Sequence, residues 1–217
     1  MNRLHSIVAL FPVLFLCAVL VGTAQNQFTI DATRLPETPP RGRGPFPGSA
    51  TPGHSANLPI RVDLLFPTGA LRPDGTTLVD FVITNVGTEP IMLPSAVNQN
   101  FARTIRTVVL TLWLTSDATK DRYFRDVKSG HLVKIESVGT SAQLYGRSDD
   151  PQSFQELAPN EKMRVHASSR VQLNSGTHSF TGHAELLQVL NGTSERIGTA
   201  DAEVVMATLS TPSPTDR

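Results

Sequence analysis

From Ile60 to Met206 the apolar residues recur at every second position, the period of a strand whose side chains alternate between two faces. Ile60, Val62 and Leu64 share one face of IRVDL, and Val79, Phe81 and Ile83 share one face of LVDFVITN. A short strand is expected at Ile91-Met92-Leu93, bounded by Pro90 and Pro94. The clearest central strand is Thr107 to Thr115, with Val108, Leu110, Leu112 and Leu114 on one face and Thr111, Trp113 and Thr115 on the other. Further strands are predicted at Leu132 to Ser137, Ala142 to Gly146, Met163 to Leu173, Gly182 to Leu190 and Arg196 to Met206.

Turn residues separate these segments. Asp74-Gly75 supplies a turn whose glycine accepts positive φ. Asn191-Gly192 is a strong hairpin signal, because a type I′ turn needs positive φ at both central residues. A two-residue turn there would pair Leu186 with Ile197 on one face. No segment longer than a turn or two has helical periodicity. Many short strands without intervening amphipathic helices describe an all-β, antiparallel sandwich rather than a parallel sheet.

The flanks differ. Arg34 to Pro59 is dense in Pro and Gly without apolar periodicity, and reads as a disordered or polyproline-like tether. Phe28-Thr29-Ile30 would form a strand only if another strand accepts it. The expected organisation is a leader over 1–24, a Pro/Gly-rich linker over 25–58, a β-sandwich domain over 59–208 and a disordered tail over 209–217. The polar stretches 95–106 and 116–129 exceed ordinary hairpin loops and are the expected contact loops on the sandwich rim.

The leader carries Arg3 and then an apolar run from Ile7 to Val21, shorter than the roughly 20 residues of a membrane span. Gly22-Thr23-Ala24 are the small residues a signal peptidase reads, so cleavage is expected before Gln25, giving an exported protein, periplasmic or extracellular. The alternative is an uncleaved N-terminal anchor. Leu16 precedes Cys17 where lipoprotein processing requires a small residue. Cys17 is the single cysteine, so cleavage leaves a chain without disulfides, zinc-thiolate sites or a thiol nucleophile.

Charge narrows the partners. Without Arg3, 18 basic residues face 19 acidic ones, which offers no electrostatic case for nucleic acid or an anionic membrane. Aromatic residues are 6% of the chain, a low content for surfaces built on stacking.

Val79 to Leu93, VDFVITNVGTEPIML, resembles bacterial exported immunoglobulin-like domains, in which an alternating strand closes in an Asn-x-Gly-x-x-Pro corner before the chain crosses to the next strand. Leu157-Ala158-Pro159-Asn160-Glu161 is similar to the Leu-x-Pro-Gly-Glu turn that opens a later strand in such domains, with Asn160 where Gly is usual. Both features are also similar to a small bacterial proteinase-inhibitor domain of that architecture. The resemblance implies an immunoglobulin-like sandwich and transfers no functional residue.

Candidate chemistry is sparse. His54, His131, His166, His178 and His183 show no metal-ligand spacing, and the acidic clusters around Asp117 to Asp126 and at Asp149-Asp150 lack the pattern of a calcium loop. No Gly-x-Ser-x-Gly, His-Glu-x-x-His or phosphate loop occurs. Asn191-Gly192-Thr193 matches a glycosylation triplet, but the hairpin accounts for it. The expectation is therefore no catalytic residue, no metal and no cofactor. Trp113 points away from the Leu face, and Trp113, Tyr123 and Phe124 are the candidate contact residues for a ligand or partner. The expected function is a non-catalytic binding or structural module for an unknown protein or cell-surface partner. The alternatives are a carbohydrate-binding module using Trp113 with Tyr123 or Tyr145 on one exposed face, or a proteinase-inhibitor-like domain.

Overall fold

The structure, a computed structural model, describes residues 27–33, 56–100, 102–116, 123–125, 132–169 and 172–211. The leader, Cys17, His54, His131, most of the linker and the end of the tail lie outside the described residues. Thirteen strands run in chain order: β1 (Gln27–Ala32), β2 (Ala56–Asn57), β3 (Ile60–Leu65), β4 (Thr77–Asn85), β5 (Ile91–Pro94), β6 (Thr104–Ser116), β7 (Tyr123–Arg125), β8 (Leu132–Arg147), β9 (Phe154–Leu157), β10 (Lys162–Ser169), β11 (Gly176–Leu190), β12 (Thr193–Asp201) and β13 (Val205–Leu209). The only described helix is one 3-10 turn, Pro151–Ser153, and no described helix is long and apolar enough to cross a membrane.

The strands form three sheets. One has the order β1-β10-β4-β3, the large one runs β2-β12-β11-β6-β8-β7 with β13 also on β11, and a small one pairs β5 with β9. The alternating faces read from sequence meet in one core, where Val62, Phe81, Ile83, Met163 and Val165 of the first sheet join Leu110, Leu112, Leu144, Phe180 and Ala184 of the large one. Gly182 is required at this contact. A Cβ there would lie 2.8 Å from Leu64 and 3.2 Å from Phe81.

Several expectations change in the structure. Leu132–Arg147 is one strand rather than two, and the last expected strand is interrupted at 202–204, where Ala202 N–H donates to Gly182 O instead of continuing the ladder. Asn191 and Gly192 do have positive φ, at 51° and 76°. Leu186 nevertheless pairs with Gly198, not Ile197, because a β-bulge shifts the register after Leu187↔Arg196. The sheets are not wholly antiparallel either, since β1 runs parallel to β10 and β2 parallel to β12. Both parallel strands fall inside the 25–58 stretch read as linker. β10 is what accepts Phe28-Thr29-Ile30, and Ile30 and Ala32 enter the core.

The two turn motifs meet. Asn85 is fully buried, and its Nδ2 donates to Glu89 O and to Leu157 O, each at 2.8 Å, while its Oδ1 accepts from Gly87 N–H at 2.9 Å. Its backbone carbonyl accepts from Asn160 N–H, and its own N–H donates to Glu161 O. Asn160 takes φ 67°, the left-handed conformation for which Gly is the usual residue, and Glu161 Oε2 accepts from Ala158 N–H at 2.9 Å.

Candidate functional site

The corner at Asn85 delivers the chain into β5, and β5 with β9 forms one wall of an apolar groove. The groove, about 440 Å³, is lined by Met92 from β5, Ile105 and Arg106 from the start of β6, Phe154 from β9, and Gln188, Val189 and Leu190 from the end of β11. Met92, Ile105 and Leu190 are 43%, 39% and 51% exposed, no more than apolar side chains elsewhere on the chain such as Val86 and Met206, but these three lie together. Phe154 reaches this position because Gly146 has no side chain. A Cβ there would lie 2.2 Å from its ring. The half-buried guanidinium of Arg106 has no carboxylate partner among the described residues. Two residues of the expected contact loop 95–106, Ile105 and Arg106, thus belong to the groove.

Next to the groove the chain is pinned by polar contacts. Ala96 and Tyr145 exchange backbone hydrogen bonds, and Ser95 N–H donates to Ser153 O. Arg147 makes a two-pronged contact with Asp149, at 3.2 and 3.0 Å, and Arg103 also pairs with Asp149. The Arg147 hydrogen bond, with that of Arg103, holds the Asp149 carboxyl down at about 2. Asp149-Asp150, read from sequence as a turn before Pro151, is therefore an ion-paired clamp followed by a capped 3-10 turn, with Asp150 Oδ1 accepting from Gln152 N–H.

Trp113 lies on the outer face of the large sheet, as the alternation implies, and is partly buried. Its indole stacks on His183 of β11, with ring centroids 4.8 Å apart and planes 12° from parallel. His183 Nδ1 lies 2.6 Å from Asp201 Oδ1 on β12. On the outer face of the other sheet, His166 Nδ1 lies 2.6 Å from Asp80 Oδ1, strand to strand. These two pairs escape a reading by sequence spacing because their members are brought together by register. A carboxylate on Nδ1 is how a general-base histidine is oriented. Here no hydroxyl among the described residues hydrogen-bonds to Nε2 of either ring, and neither ring lines the apolar groove or the shallow concavity beside β3. Among the described residues no group of three or more His, Cys, Asp or Glu is placed to hold a metal ion.

The candidate aromatic residues occupy different strands. Tyr145 is 3% exposed and burial pushes its phenol up to about 12, so it is no surface platform. Tyr123 and Phe124 lie in β7, beyond β8 from Trp113: Tyr123 is opposite Lys134, and Lys134 is opposite Ser116, three residues along β6 from Trp113. The rest of the expected contact loop 116–129 is outside the described residues. The groove itself was not anticipated, since its lining comes from four strands and no local signal marks it.

No protein-family model matches the sequence, and no curated protein matches it. Among solved structures, the chain is similar to AvmM, which catalyses macrocyclization in alchivemycin A biosynthesis, at 16% identity over 72% of this chain and 92% of that one, with a TM-score of 0.34. It is also similar to Spo0M, a sporulation control protein from Bacillus subtilis, at 8% identity over 70% of this chain and 50% of that one, with a TM-score of 0.30. At these scores neither likeness carries an argument about what this chain does.

Proposed function

We propose that this chain is an exported, non-catalytic β-sandwich of immunoglobulin-like architecture that binds a protein partner in the groove between β5, β6, β9 and β11. The partner presents an apolar side chain beside a carboxylate. The observation that carries this reading is the groove itself, three exposed large apolar side chains around a guanidinium that has no carboxylate partner among the described residues. Apolar contact supplies the affinity at such a site, and a charge-assisted hydrogen bond to Arg106 supplies orientation.

The immunoglobulin-like architecture is supported by Asn85, which ties the strand-to-strand corner to the Leu157 turn. It is supported too by an N-terminal chain that gives one strand to each main sheet. The non-catalytic reading is supported by the histidine–aspartate pairs, neither of which, among the described residues, meets a nucleophilic hydroxyl or lines a concavity that could hold a substrate. Export is supported by the Ile7 to Val21 run and the small residues that end it at Ala24.

A random-peptide display selected against the chain beginning at Gln25 tests the groove. Enriched peptides should carry an apolar residue next to Asp, Glu or a free C-terminus. Their binding should fall at least roughly tenfold with Ile105→Asp and with Arg106→Glu. Failure to enrich any sequence, or binding indifferent to both substitutions, would count against the proposal.

A further inference from the structure

We propose that β1 is an exchangeable strand, and that the edge of β10 which receives it is a binding site for the same strand of a second copy of this chain. β1 is the outermost strand of its sheet and pairs with β10 alone, in parallel, from Gln27↔Lys162 to Ala32↔Ala167. Among the described residues no hairpin holds it there. The next described residue, Ala56, pairs with Gly198 in the other sheet, and residues 34–55 intervene with six prolines and four glycines. A chain of that length spans up to about 70 Å when extended, whereas packed sheets lie about 10 Å apart. The connection therefore does not dictate which copy donates the strand.

The acceptor has definite chemistry. Met163, Val165 and Ala167 of β10 are almost wholly buried, and Ile30 and Ala32 lie beside them in the core. Gln27, Phe28, Thr29 and Asp31 remain exposed. With its amide oxygen toward the guanidinium, Gln27 accepts from Arg164 Nε at 2.7 Å, an exposed contact at one end of a ladder whose register is set by Ile30 and Ala32 in the core. The site thus selects a parallel, extended segment with apolar residues at alternate positions, and every copy of the chain carries one. An empty β10 edge would expose a row of unpaired N–H and C=O groups over apolar side chains, so a departing strand leaves a template that another β1 fits. Exchange gains and loses no contact type. Its extent is set by protein concentration against the effective concentration that the tether maintains. In a chain cleaved after Ala24 the strand begins two residues from a free N-terminus, which removes any obstacle to its withdrawal.

The test uses the chain from Gln25, which has no native cysteine. Thr29 and Arg164 are register partners, so Thr29→Cys and Arg164→Cys proteins are mixed at rising concentration and treated with a short thiol-to-thiol bis-maleimide. A covalent dimer should form and increase with concentration. Adding Ile30→Asp to the Thr29→Cys donor should lower its yield roughly tenfold. The double variant Thr29→Cys/Arg164→Cys should join internally in dilute solution. Internal joining without any mixed dimer above that of a Thr29→Cys and Glu195→Cys control pair would overturn exchange, and a double variant that fails to join internally would overturn the strand's placement.

Discussion

The corner at Asn85 and the strand β1 both rest on β10 and its approach, yet they are attached by different physics. At the corner, a buried carboxamide satisfies two carbonyls and one N–H, and the backbone of the same residue bonds to Asn160 and Glu161 where the ladder between β4 and β10 ends. Of these partners Leu157 O is buried, whereas Glu89 O and the Gly87 N–H are part-buried. β1 instead lies on a sheet edge, puts two of its six side chains into the core and is followed by a long Pro/Gly-rich connection. One region is held by a buried side chain bonded to three backbone groups of its own chain at once, the other by a ladder that can reform elsewhere. Burial alone does not separate them, because Ile30 is nearly as buried as Asn85 itself.

Substitutions sharpen the contrast. Asn85→Ala leaves the buried Leu157 O and the part-buried Glu89 O and Gly87 N–H without their partner, and should cost about 3 kcal/mol in urea unfolding, read from the whole domain. Ile30→Ala should cost less, about 2 kcal/mol, because a strand at an edge can shift to close the space and because the loss cannot exceed what docks β1. Equal costs, both global, would break the comparison.

The smallest effect is expected at the clamp beside the groove. Asp149 is held at about 2, against 3.8 for a free side chain, so its contribution is complete above pH 3.8 and is lost as pH falls from there toward 2. Asp149→Asn should flatten the acid limb of the stability curve over that interval and nowhere else. Salt should weaken the difference, since the pair faces solvent.

Much of this was readable in the sequence, for reasons that particular residues make plain. The period-two faces of Val79 to Ile83 and Val108 to Leu114 identify core-facing side chains because strand geometry leaves a side chain only two directions. Asn85 and Asn160 are recognisable as turn-makers, since turn chemistry is local. That they touch was not legible, because the contact spans 75 residues and depends on how β4 and β10 pair. His166–Asp80 and His183–Asp201 were missed for the same reason. A pair across strands is set by register, and the bulge after Leu187 shows how one residue shifts it. Phe28-Thr29-Ile30 declared its strand character but not its acceptor, which a parallel partner more than a hundred residues away supplies. The groove is the least legible feature. Met92, Ile105, Phe154 and Leu190 each read as an ordinary strand residue, and only their convergence makes a site.

Native-state hydrogen exchange followed amide by amide as urea is raised tests the contrast between corner and strand most directly. The N–H groups of Asn85, Gly87 and Asn160 should exchange only through global unfolding, with the full urea dependence, whereas the β1 N–H groups bonded to β10 should exchange through a low-energy opening almost independent of urea. Equal protection and an equal urea slope for β1 and the corner would contradict a strand that detaches on its own.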